Sequence, residues 1–475
     1  MRRLISGILP ALLSVSLLLA GCEKDQERDT PPVFEEPILV SSSLLFTSPG
    51  AALYDMISER VPVLPELVHE LGNISKRNHS LRISVYEIVY KSKDIAGNEI
   101  ILSGMVSVPF HIDGTEMTIN NISLEHSIFN IDSDITTVFG ALATIRALFG
   151  SLVVTPYCQG GGVDKGRPGT YVPLSEHILK ARQSIDCELA ALEFLRTQAV
   201  RGLNVRLSPN YSTYNIGISN GGASALAVMK ILESETEYEE VNRDRIHLSG
   251  TYMGEGCADY SILLDTFIDN YDKPTQVDRM KPDILISIMT SAYNAHAIYS
   301  PKPYFSYEEN GRTMHINLES YFSEEFNAAR VLVGNEMVSI TEACNRGYWY
   351  DNLLQMSDDS YILKAGFETL EDIFSPDLFN EDGTVNKSRR EWKAIISALK
   401  ENSLLDGFEP KSKLLIVSSK DDTFIPFEIN RQMYENLSDG GRNPNVKLRA
   451  ISGLDHSDAS DLCWIESIVK KNLFQ

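Results

Sequence analysis

Hydrophobic and polar positions alternate early in the chain, which is the pattern of strands that bury one face. The alternation covers residues 81–90 and 99–108, and the turn between them contains Gly97 and Asn98. This arrangement predicts a β-hairpin. Residues 117–124 follow as a third predicted strand, which ends at His126 and Ser127.

Beyond this strand, the pattern changes to short apolar runs that alternate with helical segments. Such alternation predicts an α/β fold with a mostly parallel sheet, helices on both faces and the N-terminal hairpin as its antiparallel part. The predicted strands are 152–155, 214–218, 246–249, 413–419 and 446–451, and the predicted helices are 136–149, 176–197 and 223–232.

One turn in this pattern carries chemistry. Gly217, Ser219 and Gly221 form a Gly-x-Ser-x-Gly motif between the strand 214–218 and the helix 223–232. A sharp strand-to-helix turn strains the backbone of its central residue and projects its side chain. The bare motif arises by chance in roughly one chain in six of this length. The flanking strand and helix are therefore what indicates a nucleophile at Ser219, with the N–H of Asn220 and the helix dipole available to an oxyanion.

A serine nucleophile needs a base, and histidine is suited to that role. The histidines after Ser219 are His247, His296, His315 and His456. The base of this architecture comes last, in a loop after the final strand. His456 has that position, and the competing interpretation is an ordinary surface histidine flanked by acids.

The acid that orients the histidine should follow the preceding strand, 413–419. Asp421 and Asp422 both do so. Asp422 is preferred because Ile425 and Pro426 then complete an Asp-x-x-Ile-Pro loop that leads into a helix, which Pro426 can start. Asp421 remains the alternative.

These motifs together resemble the α/β-hydrolases, specifically the secreted lipase and esterase branch with a helical insertion. The resemblance covers roughly residues 81–260 and 413–474. It includes the glycine-rich loop 156–162, although Tyr157 stands where the family has aspartate, and the loop 254–260. The family usually has His-Gly where this chain has His126-Ser127, so the resemblance implies an oxyanion hole made by the N–H of Asn220 with that of Ser127 or Ile128.

A long segment separates Ser219 from Asp422, and residues 261–410 exceed what a minimal core needs. We expect them to form a cap over the active site, with helices at 321–333 and 389–400. Its aromatic residues either line a substrate pocket or fill the core of the cap. These are Tyr304, Phe305, Tyr307, Trp349 and Tyr350.

The N-terminus predicts secretion and anchoring. Arg2 and Arg3 precede the apolar run 4–19, and the run ends in Leu-Ala-Gly before Cys22, which resembles the bacterial lipoprotein box. This predicts a signal peptide over 1–21, lipid attachment at Cys22 and a flexible tether over 22–45. The hydrolase core then covers 46–260 and 411–475, on either side of the cap. The expected location is the bacterial cell envelope, with the outer membrane and cell surface as a hypothesis.

Composition excludes several classes of function. The formal charge of −22 argues against binding to nucleic acid. The five cysteines after Cys22 form no metal-like C-x-x-C spacing, and their odd number rules out complete disulfide pairing while leaving one or two bridges open. Neither a complete phosphate loop nor a dinucleotide fingerprint is found. No cofactor or metal is expected.

The sequence therefore predicts a serine hydrolase that cleaves carboxylic esters, small or glycan-linked, through Ser219, Asp422 and His456. Two alternatives stay open. A serine peptidase uses the same groups, and a catalytically inactive surface-binding lipoprotein would retain the fold without the chemistry. The oligomeric state is not predicted.

Overall fold

The structure is a computed structural model, and it describes the chain from residue 37 onward with gaps. Described are residues 37–52, 79–126, 144–165, 167, 170–197, 200, 202–270, 282–333, 335–346, 367, 370–405, 407–422 and 424–469. Cys22, Ser127, Ile128, Trp349 and Tyr350 lie outside these ranges, as does most of the helix predicted at 136–149.

The described part of the chain contains thirteen strands. They are β1 Leu39–Pro49, β2 Leu81–Lys93, β3 Glu99–His111, β4 Met117–His126, β5 Leu152–Pro156, β6 Val205–Ile218, β7 Leu248–Gly254, β8 Ser306–Glu309, β9 Arg312–His315, β10 Arg330–Val333, β11 Glu336–Ser339, β12 Lys413–Ser419 and β13 Val446–Ile451.

Nine of these strands form one sheet in the order β1-β2-β3-β5-β4-β6-β7-β12-β13. The pairs β1–β2, β2–β3 and β3–β5 are antiparallel, and all pairs from β5 to β13 are parallel. The chain thus begins with an antiparallel ribbon and continues as a parallel sheet. The predicted mostly parallel sheet with an antiparallel N-terminal hairpin is confirmed.

Eleven α-helices lie among the described residues. They are α1 His177–Phe194, α2 Asn220–Ser234, α3 Thr236–Val241, α4 Tyr260–Asn270, α5 Pro282–Tyr293, α6 Glu324–Ala328, α7 Ile340–Asn345, α8 Leu370–Ile373, α9 Arg390–Lys400, α10 Phe427–Leu437 and α11 His456–Val469.

The two faces of the sheet are covered by different helices because side chains alternate along each strand. On one face, α1 and α2 bury the large hydrophobic core, into which Met253 of β7 points. On the other face, Ile218 and Tyr252 pack with Cys463 of α11. The sheet is therefore covered on both sides, as a parallel sheet requires.

The sheet begins earlier in the chain than the sequence indicated. β1 pairs with β2 from Leu39 to Pro49, so the tether predicted over 22–45 includes residues of an edge strand. The alternation of β1 is weak because most of its side chains are exposed. Only a few of its side chains, such as those of Leu39 and Phe46, pack against the core, so the strand shows little hydrophobic periodicity.

The segment predicted to be a helical cap also contains strands. The helix predicted at 389–400 is present as α9, but the helix predicted at 321–333 is wrong. Those residues form a short 3-10 turn, α6 and the strand β10, which pairs with β11. The apolar spacing of this segment comes from side chains buried by successive short elements, such as Phe326 and Val331, and therefore resembles a single helical face.

Two further sequence inferences concern cysteines and membranes. The five cysteines after Cys22 are buried thiols, so the disulfide bridges left open by the sequence do not form. Within the described ranges, none of the helices combines the length and apolar character needed to cross a bilayer.

Candidate active site

Ser219 occupies the turn between β6 and α2. Its φ is 55° and its ψ is −125°, a conformation that costs a non-glycine residue about 1–3 kcal/mol. The Ser219 N–H donates to the carbonyl of Gly254 at 2.8 Å, which ties the turn to the end of β7. A side chain at Gly217 would overlap the carbonyl oxygen of Gly221. The turn therefore has no room for a larger residue at Gly217.

His456 lies beside Ser219, at the start of α11. Its Nε2 is 2.9 Å from the Ser219 Oγ, and its Nδ1 is 2.7 Å from an Oδ of Asp422. A carboxylate that accepts the Nδ1–H leaves the lone pair of the neutral ring on Nε2, facing the serine. Ser219 is 7% exposed and the His456 side chain 22%, so the serine is nearly buried while solvent still reaches part of the imidazole.

Asp422 follows β12 and is buried. Its second carboxylate oxygen accepts the N–H groups of Phe424 at 2.7 Å and Ile425 at 2.8 Å. Burial by itself would raise the pKa of Asp422, but the hydrogen bond and charge of His456, the Ile425 N–H and the side chain of Glu255 together lower it. Asp422 is consequently an ionised acceptor for the imidazole.

Asp421, the alternative acid, has a different contact. Its carboxylate accepts the backbone N–H of Gly453 at 2.6 Å. Ser419 donates to the carbonyl of Leu454 at 2.6 Å, so two contacts attach the loop before His456 to the end of β12. Of the two neighbouring aspartates, Asp422 is the one that meets the histidine.

Asn220, the first residue of α2, has its side chain fixed by three neighbours. Its amide nitrogen donates to the Tyr260 hydroxyl at 2.8 Å and to the Leu174 carbonyl at 3.1 Å, and Lys180 donates to its amide oxygen. Lys180 also bonds the Leu174 carbonyl at 3.0 Å. Burial lowers the pKa of Lys180 to about 8, although Cys158 and Glu176 act in the opposite direction and raise it. These contacts fix the backbone whose N–H begins the helix, where an anion is favoured.

The second predicted oxyanion donor, Ser127, lies outside the described residues. The strand that leads to it ends at His126, whose Nε2 is 2.6 Å from the amide oxygen of Asn215 on β6. Burial lowers the pKa of His126 to about 4, so its ring is neutral. His126 thus joins the end of β4 to β6, where it also pairs with Gly217 of the Ser219 turn.

Sequence reasoning missed Glu255, which follows β7 directly. Its φ is 46°, its N–H donates to Val417 at 2.9 Å, and its side chain is fully buried. Ligand atoms of Glu255, Asp422 and His456 lie within 4.8 Å of one another. Burial and then the charge of Asp422 raise the pKa of Glu255 far above its ordinary value. An acidic residue directly after an apolar strand was the available signal.

Glu255, Asp422 and His456 also have the spacing of a metal-ligand set, the one such group among the described residues. His456 and Asp422 already share a hydrogen bond at 2.7 Å. The arrangement is therefore suited to proton transfer from a serine.

Solved structures of other proteins share the architecture. A putative hydrolase from Legionella pneumophila aligns with a TM-score of 0.62 at 18% identity, over 91% of this chain and 96% of its own. The rice cell wall degrading esterase LipA from Xanthomonas oryzae aligns at 0.61 and 17%, over 91% and 96%. Candida antarctica lipase A aligns at 0.50 and 9%, over 92% and 89%.

No protein-family model matches the chain, and no curated protein sequence matches it. At these identities, the structural likeness bears on the fold alone. Together with the sheet order and the strand–turn–helix at Ser219, it shows that this chain has the α/β-hydrolase fold.

Proposed function

We propose that this protein is a serine hydrolase that cleaves carboxylic esters through an acyl-enzyme intermediate. The observation that supports this is the continuous hydrogen-bonded series from the Ser219 Oγ through His456 to Asp422. Its members come from three separate strand ends, and the nucleophile stands at a helix N-terminus. Nucleophile, base and orienting acid are the parts that acyl transfer needs.

In the proposed reaction, His456 Nε2 removes the Ser219 proton as Oγ attacks the ester carbonyl carbon. The N–H of Asn220 stabilises the oxyanion, and we propose Ser127 as the second donor. The imidazolium then gives its proton to the departing alkoxide, which leaves as an alcohol. Water repeats the sequence on the acyl-serine and releases the acid. Activity should fall in acid, because a protonated His456 cannot accept the serine proton.

We place the substrate among carboxylic esters, small or glycan-linked. Two of the proteins with this architecture are described as an esterase that degrades rice cell wall and as a lipase. These descriptions favour esters over peptides, although the same serine mechanism attacks amides. A panel of short acyl nitrophenyl esters, acetylated and feruloylated glycans and aminoacyl amides separates the classes.

The first test is a fluorophosphonate label on the purified protein, with the adduct located by mass spectrometry. Labelling should occur at Ser219 and vanish in Ser219→Ala and His456→Ala, and Ser219→Ala should lower kcat by about 10⁶. Ser224→Ala is the matched control, because this buried serine on the same helix bonds only the Asn220 carbonyl at 3.2 Å among its described contacts. Ester hydrolysis that persists in Ser219→Ala would contradict the proposal.

We also propose that Cys22 carries a lipid and that the protein is attached to the cell envelope. The lipoprotein-like sequence before Cys22 supports this. Cells fed an alkyne fatty acid should label the wild type but not Cys22→Ala. Release of the protein by protease from intact cells would support the cell surface, and protection from the protease would support an inward face.

A further inference from the structure

Glu255 lies between the nucleophile and the acid of the proposed triad. The preceding residue, Gly254, accepts the N–H of Ser219 at 2.8 Å, and the Glu255 N–H donates to β12 at Val417. Its carboxyl group lies among the ligand atoms of Asp422 and His456, within 4.8 Å of both. This side chain therefore lies next to the pair that is proposed to activate Ser219.

The groups that face Glu255 come from three elements. The loop after β12 provides Asp422, and α11 provides His456 and the thiol of Cys463. The phenol of Tyr252 comes from β7 itself. A buried thiol and a buried phenol carry no charge near neutral pH, because burial raises the pKa of both. No cation among these neighbours except a protonated His456 would stabilise a second carboxylate.

Two adjacent carboxyl groups in a buried site cannot both be ionised at low cost. Asp422 accepts hydrogen bonds from the N–H groups of Phe424 and Ile425 and from the imidazole of His456. Among the described residues, neither oxygen of Glu255 receives a well-formed hydrogen bond. The Ser419 N–H supports the charged form, but its effect is the smallest of those that act on Glu255. The proton of the pair therefore belongs on Glu255.

We propose that Glu255 is a positioning residue, a neutral carboxylic acid that donates a hydrogen bond to Asp422 and holds it against His456. This inference rests on the proposed ester hydrolysis for its catalytic consequence. The bond adds a fourth donor to Asp422, in addition to the two backbone N–H groups and the imidazole. Asp422 then cannot rotate away from the Nδ1–H of His456. The raised pKa of Glu255 agrees with this proton position.

Substitutions at Glu255 separate the donor from the charge. Glu255→Gln keeps a donor of nearly the same shape and cannot ionise, whereas Glu255→Leu fills the space without a donor. Glu188→Gln is the matched control. Glu188 is also fully buried, and burial raises its pKa to about 8. Its carboxyl group accepts a hydrogen bond from the Thr213 hydroxyl at 2.7 Å, and neither residue belongs to the proposed triad.

The first measurement is the rate of fluorophosphonate labelling, with circular dichroism to verify folding. We expect Glu255→Gln and Glu188→Gln to label within about threefold of the wild type, and Glu255→Leu at least about tenfold more slowly, as loss of one hydrogen bond to a charged group implies. In alkali, the wild-type rate should fall as Glu255 ionises and repels Asp422, while that of Glu255→Gln should not. Equal rates for the Leu variant and the wild type, or equal damage by Gln and Leu, would overturn the proposal.

The second measurement does not depend on activity. The infrared difference between wild type and Glu255→Gln at neutral pH should contain the carbonyl stretch of a protonated carboxylic acid, and the Nδ1 proton resonance of His456 should move in Glu255→Leu. A carboxylate signal instead would disprove the neutral acid. If the folded wild type were not labelled at all, ester hydrolysis would fail as the proposed function, and these spectra would still decide the bond between Glu255 and Asp422.

Discussion

Asp421 accepts the backbone N–H of Gly453 at 2.6 Å, in the turn that precedes His456. The next residue, Asp422, accepts the Nδ1–H of His456 at 2.7 Å. Two adjacent carboxylates thus have separate contacts, one with the loop that carries the histidine and the other with its ring.

This division predicts unequal losses of activity. Asp422→Asn should lower kcat by about 10⁴, because an amide at this position favours the wrong imidazole tautomer. Asp421→Ala should cost only about tenfold, since one loop hydrogen bond is lost. Steady-state kinetics on an acyl nitrophenyl ester measure both, and similar losses in the two variants would contradict the assignment of the acid.

Lys180 should matter for catalysis although it touches no reacting atom. Lys180→Met removes its hydrogen bonds to Asn220 and Leu174, so the backbone N–H at the start of α2 loses support. We expect kcat to fall by about tenfold with KM little changed, in line with partial loss of an oxyanion donor. Arg182→Met is the control, since Arg182 on the same helix forms an exposed ion pair with Glu235. If Arg182→Met lowered kcat as much as Lys180→Met, the proposed role of Lys180 in supporting the Asn220 N–H would be refuted.

The buried ion pair between Arg146 and Glu125 should stabilise the fold. Arg146 donates to Glu125 at 3.1 Å and to Ser467 of α11 at 2.6 Å. Arg146→Met leaves a buried carboxylate without its partner and should lower the free energy of unfolding by about 3–5 kcal/mol. Urea denaturation measures this value.

The double variant Arg146→Met with Glu125→Gln should recover part of that loss, because no unpaired charge remains. The exposed pair Arg206–Glu116 provides the comparison, and Arg206→Met should cost at most about 1 kcal/mol. Equal costs at the two sites would show that the buried pair is replaceable by solvent.

Glu188 should make stability depend on pH. Burial raises its pKa to about 8 in the folded protein, so the folded state retains a proton that the unfolded state releases. The stabilisation by this proton is complete below the ordinary glutamate pKa and is lost as the pH rises to about 8. Glu188→Gln removes this dependence, so the stability of the variant relative to wild type should grow by up to about 1.4 kcal/mol per pH unit across that window. Melting temperatures of both proteins from pH 4 to 9 test it, and a constant difference would contradict the buried neutral carboxyl.

Local chemistry made part of the site predictable. Gly217, Ser219 and Gly221 lie within one turn, where steric constraints on the backbone act between neighbours in sequence. Asp422 and His456 each follow a buried strand, and the carboxyl ends of parallel strands meet at one edge of the sheet. Their positions along the chain were therefore sufficient to propose that they meet.

Other features depend on contacts between distant segments. The pairing of β10 with β11 was hidden, because four-residue strands are too short to distinguish a period of two from a helical face. In the sheet, β5 lies between β3 and β4, which differs from the order of these strands in the sequence. This order depends on how distant strands pair, and no local pattern encodes it. Which of Asp421 and Asp422 lies against His456 is likewise decided by tertiary contacts, because both aspartates follow the same strand.

The sequence by itself determined the strand–turn–helix at Ser219, the alternation of strands and helices and the chain order of serine, acid and histidine, since each depends on neighbouring residues or on a repeated period. Only the tertiary structure placed Glu255 beside Asp422. These residues follow β7 and β12, which pair in the sheet although a long insertion separates them in the sequence. The proton on Glu255 follows from desolvation and from the charge of Asp422. Both effects arise only when the folded sheet brings the two carboxyl groups together.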